Sequence, residues 1–361
     1  MILLPAAAST TAYITLATVL IEACCIIPIE AVITVIYFQN SNPFNSVGED
    51  KSIVVYLIIF CLAQLFQIIL CWDALFHQNT IQIVGFLFFT LSATAYAGFQ
   101  DGSIQSNMNI GDAWQANSLM NGIAAGDALY IADPTQKQTM RALLHVVPAI
   151  MAICSVFYCY LFYHLYLDFG WKIYKKIGAD PTMRYMYQVY QIFVLLLKLD
   201  VFFMFGFGIQ FLVLIIQPGD PEFSITIAAI PILMAILAFA LHGVRSENKS
   251  ITIAFMCGLI LADGYFGFKI YRIYTKPEKY QYTKKYLTFF AALSIIVVTL
   301  SLAVTGLCMS HFGKGLKEHI IKDGTASQSS SVNNTGKEKT RQGSQANSAH
   351  NDGKLNDVGM A

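Results

Sequence analysis

Five ionisable side chains lie inside long apolar stretches of the sequence, where the cost of burying a charge makes them the first candidates for chemistry. They are Glu22 and Glu30 in the first stretch, Lys198 and Asp200 in the fifth, and Asp263 in the seventh. We term these five residues the intramembrane polar set. If Lys198 pairs with one acid, three acids remain to be protonated, hydrogen-bonded or bound to a cation, as proton- or cation-coupled transport requires. The alternative is that all five are paired or neutral polar contacts that hold helices together.

The spacing within this set limits which residues can meet. Lys198 and Asp200 are two residues apart, so on a helix they point about 200° away from each other and each must face a different neighbour. Glu22 and Glu30 are eight residues apart, which places them on related faces of one helix, about 12 Å apart along its axis. The pattern therefore predicts that Lys198 and Asp200 are not partners of each other.

A second candidate group surrounds the junction of the fourth and fifth helices. Asp133-Pro134 and Asp180-Pro181 each precede an apolar stretch. Because Asp suits the residue before a helix and Pro its first position, we expect helices to begin near Pro134 and Pro181. The ends that project there form an interfacial stalk of basic and aromatic residues: Trp171, Lys172, Lys175, Lys176 and Arg184. This composition is typical of an interfacial aromatic belt with its cations, and the alternative is a site for a partner or for anionic lipid.

The composition predicts an all-α, polytopic transmembrane helical bundle. Of 361 residues, 56% are hydrophobic and 12% are charged, against about 25% charged in soluble proteins. A spanning helix needs about 20 mainly apolar residues. The apolar stretches of this sequence reach that length and are too long for the strands of a membrane barrel. Eight stretches qualify: 13–37, 53–72, 80–99, 143–167, 188–216, 224–242, 250–273 and 286–309. The 80–99 stretch ends in small and polar residues, so a bundle of seven spans is the alternative.

The segments outside these stretches divide the chain into a short N-terminal segment, 1–12, a transmembrane domain, 13–310, and a polar tail, 311–361. The tail has almost nothing apolar to bury and is predicted to be disordered. Residues 73–79 are predicted to form a tight hairpin. Residues 100–139, rich in Asn, Gln, Asp and Gly, are predicted to form one long loop, with at most a short interfacial helix near Asp112–Met120.

The sequence argues against several functional classes. The net charge is +1, which gives no electrostatic basis for nucleic-acid binding. The loops carry no metal-ligand spacing of Cys and His, so neither a metal nor another cofactor is expected. Common nucleophile, zinc-protease and phosphate-binding motifs are missing from the sequence, so enzyme activity has no positive support. The expected partners are the lipid bilayer and other membrane proteins of no particular class.

The charge distribution leaves the orientation open. With eight spans, nine Lys and Arg residues flank the spans on each face, so the excess of cytoplasmic positive charge that usually decides orientation is not found. Because long polar tails commonly remain in the cytosol, the interpretation adopted is that both termini are cytosolic.

The fifth stretch carries a recognisable pattern. The run Leu195–Phe203, with Lys198 and Asp200 in its centre, is followed by Gly206 and Gln210. Over roughly residues 10–312 the chain resembles a family of fungal multi-pass membrane proteins of the Golgi apparatus, whose function is uncharacterised. The resemblance implies a Golgi or related endomembrane location and carries over no functional residue. Three hypotheses follow: a structural or trafficking-related Golgi protein, a coupled small-solute transporter, and a heptahelical receptor-like protein, which needs seven spans.

Overall fold

The computed structural model describes residues 9–40, 50–121, 131, 133–177, 181–214, 235–237, 239–244, 246–275 and 284–312. These residues form long helices and no strand within the described ranges. The helices, in chain order, are α1 (Thr10–Asn40), α2 (Asp50–His77), α3 (Thr80–Asn121), α4 (Pro134–Ile177), α5 (Pro181–Leu214), α6 (Ala235–Val244), α7 (Lys249–Thr275) and α8 (Lys284–Ser310). The predicted all-α helical bundle is confirmed.

Seven of these helices, all but the short α6, are long and apolar enough to cross a membrane. Their outward faces are apolar: Ile153, Val156 and Leu261 are 70%, 72% and 74% exposed. Side chains of this kind are stable at such exposure when lipid covers them, because the bilayer interior is itself apolar. The predicted helices at 13–37, 53–72, 80–99, 143–167, 250–273 and 286–309 all lie within described helices.

Two helices begin where the Asp-Pro pattern predicts. The helix α4 begins at Pro134 and α5 begins at Pro181. At the start of α4, Asp133 Oδ1 accepts a hydrogen bond from the backbone N–H of Thr135 at 2.8 Å. This contact satisfies one of the N–H groups that a helix start leaves without a partner.

The predicted loop over 100–139 is wrong for 100–121, because α3 continues as one helix of 42 residues to Asn121, and for 134–139, which belong to α4. Residues 122–130 and 132 of that loop lie outside the described residues. At the standard rise it is about 63 Å long, roughly twice the hydrocarbon thickness. Its far part packs through Ile104 and Met108, which are buried, and Asp112 bonds Lys137 Nζ of α4 at 2.5 Å. The polar composition therefore reflects a helix that projects beyond the bilayer, and the predicted short helix at Asp112–Met120 overlaps its last turns.

The hairpin between α2 and α3 is tighter than the predicted 73–79. The helix α2 continues to His77, so Asp73 lies in its last turns. The turn itself is made by Gln78, whose φ is 50°, and Asn79. The side chain of Asn79 caps α3, because its Oδ1 accepts a hydrogen bond from the N–H of Ile81 at 3.0 Å.

The first four long helices form a closed ring. The helix α1 packs on α2 and α4, and α3 packs on the same two helices, so α1 and α3 face each other across the interior. A buried stripe of α1 points inward at helical spacing, with Val19, Glu22, Ile26, Glu30 and Ile33 at most 1% exposed. We call this unit the α1–α4 ring.

An aromatic layer joins the ring to the remaining helices. The helices α5 and α8 contact α3, and α5 also contacts α2. Phe202 of α5 stacks on Phe66 of α2 at 4.9 Å between ring centroids, and it meets Phe89 of α3 edge-on at 4.7 Å. Such aromatic pairs contribute about 0.5–1.5 kcal/mol beyond area burial. The layer holds the ring and the second group of helices in one bundle.

The helices α5 and α7 run parallel. Both are antiparallel to α8: in their contacts with α8, higher residue numbers on α5 or α7 meet lower residue numbers on α8. The contacts are Val189 with Cys308, Asp200 with Ser301, Met256 with Gly306, and Asp263 with Thr299. The end of α5 and the start of α7 therefore lie on opposite faces of the bundle.

The predicted span at 224–242 belongs to the segment between α5 and α7, and most of it lies outside the described residues. Its last part is described as the apolar helix α6, Ala235–Val244. The predicted segments 1–12 and 311–361 lie mostly outside the described residues as well; Ser9 and Phe312 are the outermost residues described.

Candidate functional site

Glu22 is buried in the α1–α4 ring and is bonded by two neighbouring helices. It is 1% exposed. Its Oε2 accepts a hydrogen bond from Gln67 Nε2 of α2 at 2.9 Å and from the hydroxyl of Tyr158 of α4 at 2.5 Å. One carboxylate oxygen thus links three helices of the ring.

Glu30 makes a contact across the interior of the ring. It lies two turns beyond Glu22 on the same stripe of α1 and is 1% exposed. Its Oε2 accepts a hydrogen bond from Gln100 Nε2 at 2.9 Å. Because Gln100 belongs to α3, this bond connects the two helices that face each other across the ring.

Lys198 forms an ion pair with an acid that the sequence interpretation placed in a loop. Its Nζ lies 2.5 Å from Asp73 Oδ2 of α2, and Asp73 also bonds His77 one turn later. The side chains of Lys198 and Asp73 are 29% and 20% exposed. The prediction that Lys198 and Asp200 are not partners is confirmed, and the acid that pairs with Lys198, Asp73, is not a member of the intramembrane polar set.

Asp200 and Asp263 both bond hydroxyl groups of α8. The buried Asp200 accepts a hydrogen bond from Ser301 at 2.5 Å. Asp263, which is half-buried on α7, accepts one from Thr299 at 3.1 Å. The intramembrane polar set is therefore distributed over the bundle: Glu22 and Glu30 in the ring, Lys198 at the interface of α2 and α5, and the two aspartates along α8.

The four acids of the set share a chemical feature. Their hydrogen-bond partners described above are neutral, and in each carboxyl one oxygen is bonded while the other is buried without a hydrogen-bond partner among the described residues. These oxygens are Oε1 of Glu22 and Glu30 and Oδ1 of Asp200 and Asp263. An ionised carboxylate in an apolar interior is costly unless a positive charge neutralises it. Such groups are suited to take up a proton or a cation.

Buried glutamines are the functional candidates that sequence reasoning missed. Gln64, Gln67 and Gln210 are 0% exposed and Gln100 is 2% exposed. In the described part of the chain, Gln64 and Gln210 have neither amide atom bonded. The available signal was the isolated glutamine in an apolar run, and in α2 a pair of them three residues apart, which places both on one helix face.

The predicted interfacial stalk is only partly described. The helix α4 extends to Ile177 and so includes Trp171, Lys172, Lys175 and Lys176, but their side chains lie outside the described part of the structure. Arg184 is half-buried in the first turns of α5. The next residue, Tyr185, packs edge-on against His311 at 5.6 Å between ring centroids, which brings the start of α5 to the end of α8.

Comparison with known proteins supports the resemblance drawn from the residues. The chain is 29% identical over 297 residues to the UPF0658 Golgi apparatus membrane protein of Schizosaccharomyces pombe. The match covers 79% of this chain and 82% of that relative. No family model and no solved structure matches the chain. The resemblance to a fungal Golgi membrane protein is thus confirmed by a relative of similar length.

Proposed function

We propose that this protein is an integral membrane protein resident in the Golgi apparatus, with a structural or trafficking-related role. The main evidence for the location is the similarity to the S. pombe Golgi membrane protein over 79% of the chain. The seven helices able to cross a membrane support a multi-pass topology. The role is proposed to be non-enzymatic, in line with the lack of catalytic motifs in the sequence.

A fluorescent protein fused to the C-terminus tests the location. Expressed in S. pombe, the fusion is expected to coincide with a Golgi marker and to remain in the membrane fraction after alkaline carbonate extraction. Signal at the plasma membrane or in mitochondria, or release by carbonate, would contradict the proposal. Replacing the S. pombe relative by this chain in that organism tests whether the two share a role beyond their location: a shared role predicts that this chain restores what the loss of the relative removes.

A second candidate function is proton- or cation-coupled transport of a small solute. The observation that favours it is the set of four acids, whose described hydrogen-bond partners are all neutral. Lys198 does not neutralise any of them, because it is paired with Asp73. Acids kept in this state inside a membrane protein are typical of coupling sites. A heptahelical receptor is less compatible with the structure, because the parallel α5 and α7 imply an even number of crossings.

Asp200→Asn tests the coupling role. Full-length protein in vesicles that contain a pH-sensitive dye is expected to carry a proton or cation flux, and the substitution is expected to reduce this flux at least tenfold at an unchanged protein level. Asp133→Asn is the matched control, because Asp133 lies at the exposed start of α4 and Asn is an equally good cap. Absence of flux in the wild type, or full flux in the Asp200 variant, would reject this candidate.

A further inference from the structure

The Glu22 carboxyl in the α1–α4 ring accepts hydrogen bonds from two neighbouring helices. Its Oε2 accepts two hydrogen bonds, and the one from Tyr158 is 2.5 Å long. Because an amide N–H and a hydroxyl both donate to it, this oxygen acts as an acceptor only, as the oxygens of a carboxylate do. The second oxygen, Oε1, is buried and has no hydrogen-bond partner in the described residues. A carboxylate in this position would therefore be buried with one oxygen unbonded, and no cationic side chain is described against it.

Two buried glutamines of α2 carry amide oxygens near the level of this carboxylate. Gln67 uses its Nε2 to bond Glu22, and its Oε1 is buried and unbonded within the described ranges. Gln64 lies one turn earlier on the same helix face, is 0% exposed, and has both amide atoms unbonded there. Glu22 lies level with Gln67 and Glu30 lies level with Gln100. The contacts of Phe66 with Phe89 and of Phe60 with Tyr96 make α2 antiparallel to α3. Gln64 therefore lies on a level between Glu22 and Glu30.

The charge and chemistry of this group favour a monovalent alkali ion, of which sodium is the one we test. Carboxylate and amide oxygens are hard ligands, which suit alkali and alkaline-earth ions rather than soft transition metals. In the described part of the ring, Glu22 is the one carboxylate at this level, since Glu30 lies about 12 Å farther along the helix axis. A single positive charge balances it, whereas a divalent ion would leave a net charge in an apolar interior.

We propose that Glu22, together with the amide oxygens of Gln64 and Gln67, binds one sodium ion inside the α1–α4 ring. The site lies on the face of α1 that points into the bundle, away from lipid. The use of the ion in coupling rests on the second candidate function, whereas its binding does not and is measured separately.

The experiment uses the full-length protein in lipid nanodiscs at fixed pH and ionic strength. Radioactive sodium is expected to bind at one ion per chain, and thermal unfolding is expected to shift upward in sodium chloride relative to choline chloride. Glu22→Gln and Gln64→Leu are each expected to weaken sodium binding at least tenfold. The control is Gln210→Leu, the same change at another fully buried glutamine, on α5, and it should bind sodium like the wild type.

Three outcomes would overturn the proposal: no sodium-specific binding by the wild type, unchanged binding in Gln64→Leu, or a stabilisation that follows pH and is indifferent to sodium. The last would identify Glu22 as a proton site instead. If Glu22→Gln fails to fold, the wild-type comparison of sodium with choline and the Gln64 variant still decide. A protein that binds sodium without carrying a solute contradicts only the transport candidate, and a flux driven by another ion with no sodium binding contradicts only the site.

Discussion

At the scale of single residues, the pairing of Lys198 with Asp73 determines how the other acids must be interpreted. The pair joins α2 to α5 through an Nζ–Oδ2 distance of 2.5 Å. Sequence spacing correctly excludes Asp200 as the partner of Lys198, because side chains two residues apart diverge on a helix. It cannot identify Asp73, because that contact depends on how α2 and α5 pack and on α2 continuing to His77.

Lys198→Met is expected to destabilise the protein. The change leaves the partly buried Asp73 carboxylate without its cation, a loss of about 1–3 kcal/mol. Thermal unfolding in nanodiscs measures the effect, with Lys249→Met at the exposed start of α7 as the control that changes little. The double variant Asp73→Asn with Lys198→Met should recover part of the loss, because it removes both charges. Strictly additive losses would show that the two side chains do not interact.

The same scale explains why the buried glutamines escape sequence analysis. An amide in an apolar run has the same appearance whether it faces lipid, a neighbouring helix or an ion. Gln67 and Gln100 acquire their significance only because they reach Glu22 and Glu30, which lie 45 and 70 residues away in the chain. Long-range contacts of this kind follow from the packing of the ring and from nothing local.

At the scale of helices, local chemistry predicts the starts of α4 and α5 better than the end of α3. Asp-Pro acts within one turn, so Pro134 and Pro181 are identified correctly. The 100–121 segment is polar, and because membrane helices are identified by their apolar residues, its sequence is assigned to a loop. Its helix is supported instead by contacts with α4, among them Asp112 with Lys137. Those contacts require α3 and α4 to project together beyond the bilayer.

Close approach of α3 to α5 depends on Gly85. A Cβ placed there would lie 2.1 Å from Leu195 Cδ1 and 2.8 Å from its Cγ, so Gly85→Ala forces the buried Leu195 side chain out of its present position. Overpacking of this kind costs about 1–3 kcal/mol, which thermal unfolding should show. Gly98→Ala on the same helix is the control, because nothing in the described residues lies within 4 Å of the place its Cβ would take. Equal stability of the two variants would contradict the close packing of α3 on α5.

At the scale of the whole molecule, the sequence predicts the class of fold and most of the helices, but the topology requires the structure. Hydropathy alone leaves seven and eight crossings open, and the basic residues divide equally between the two faces. The packing of α8 between α5 and α7 shows that α5 and α7 run in the same direction and that α8 runs in the opposite one. Parity of crossings is a property of the assembled bundle, so no single stretch reveals it.

Both termini are therefore expected on the same side of the membrane. The start of α1, the start of α5 and the end of α8 lie on one face: Asn79 at the start of α3 bonds Gln191 of α5, and Tyr185 meets His311. The end of α1 lies on the other face, where Asn40 bonds Gln136 of α4. An epitope inserted between α3 and α4, within 122–130, should therefore lie opposite both termini.

Protease protection in intact Golgi-derived vesicles measures this arrangement. Epitopes at the N-terminus and the C-terminus should be digested together or protected together, and the epitope within 122–130 should show the reverse, with all three digested once detergent opens the vesicles. Digestion of both termini before detergent is added would place them in the cytosol, as the long polar tail suggests. Termini on opposite sides would mean an odd number of crossings, and this would contradict the parallel arrangement of α5 and α7 and restore the heptahelical hypothesis.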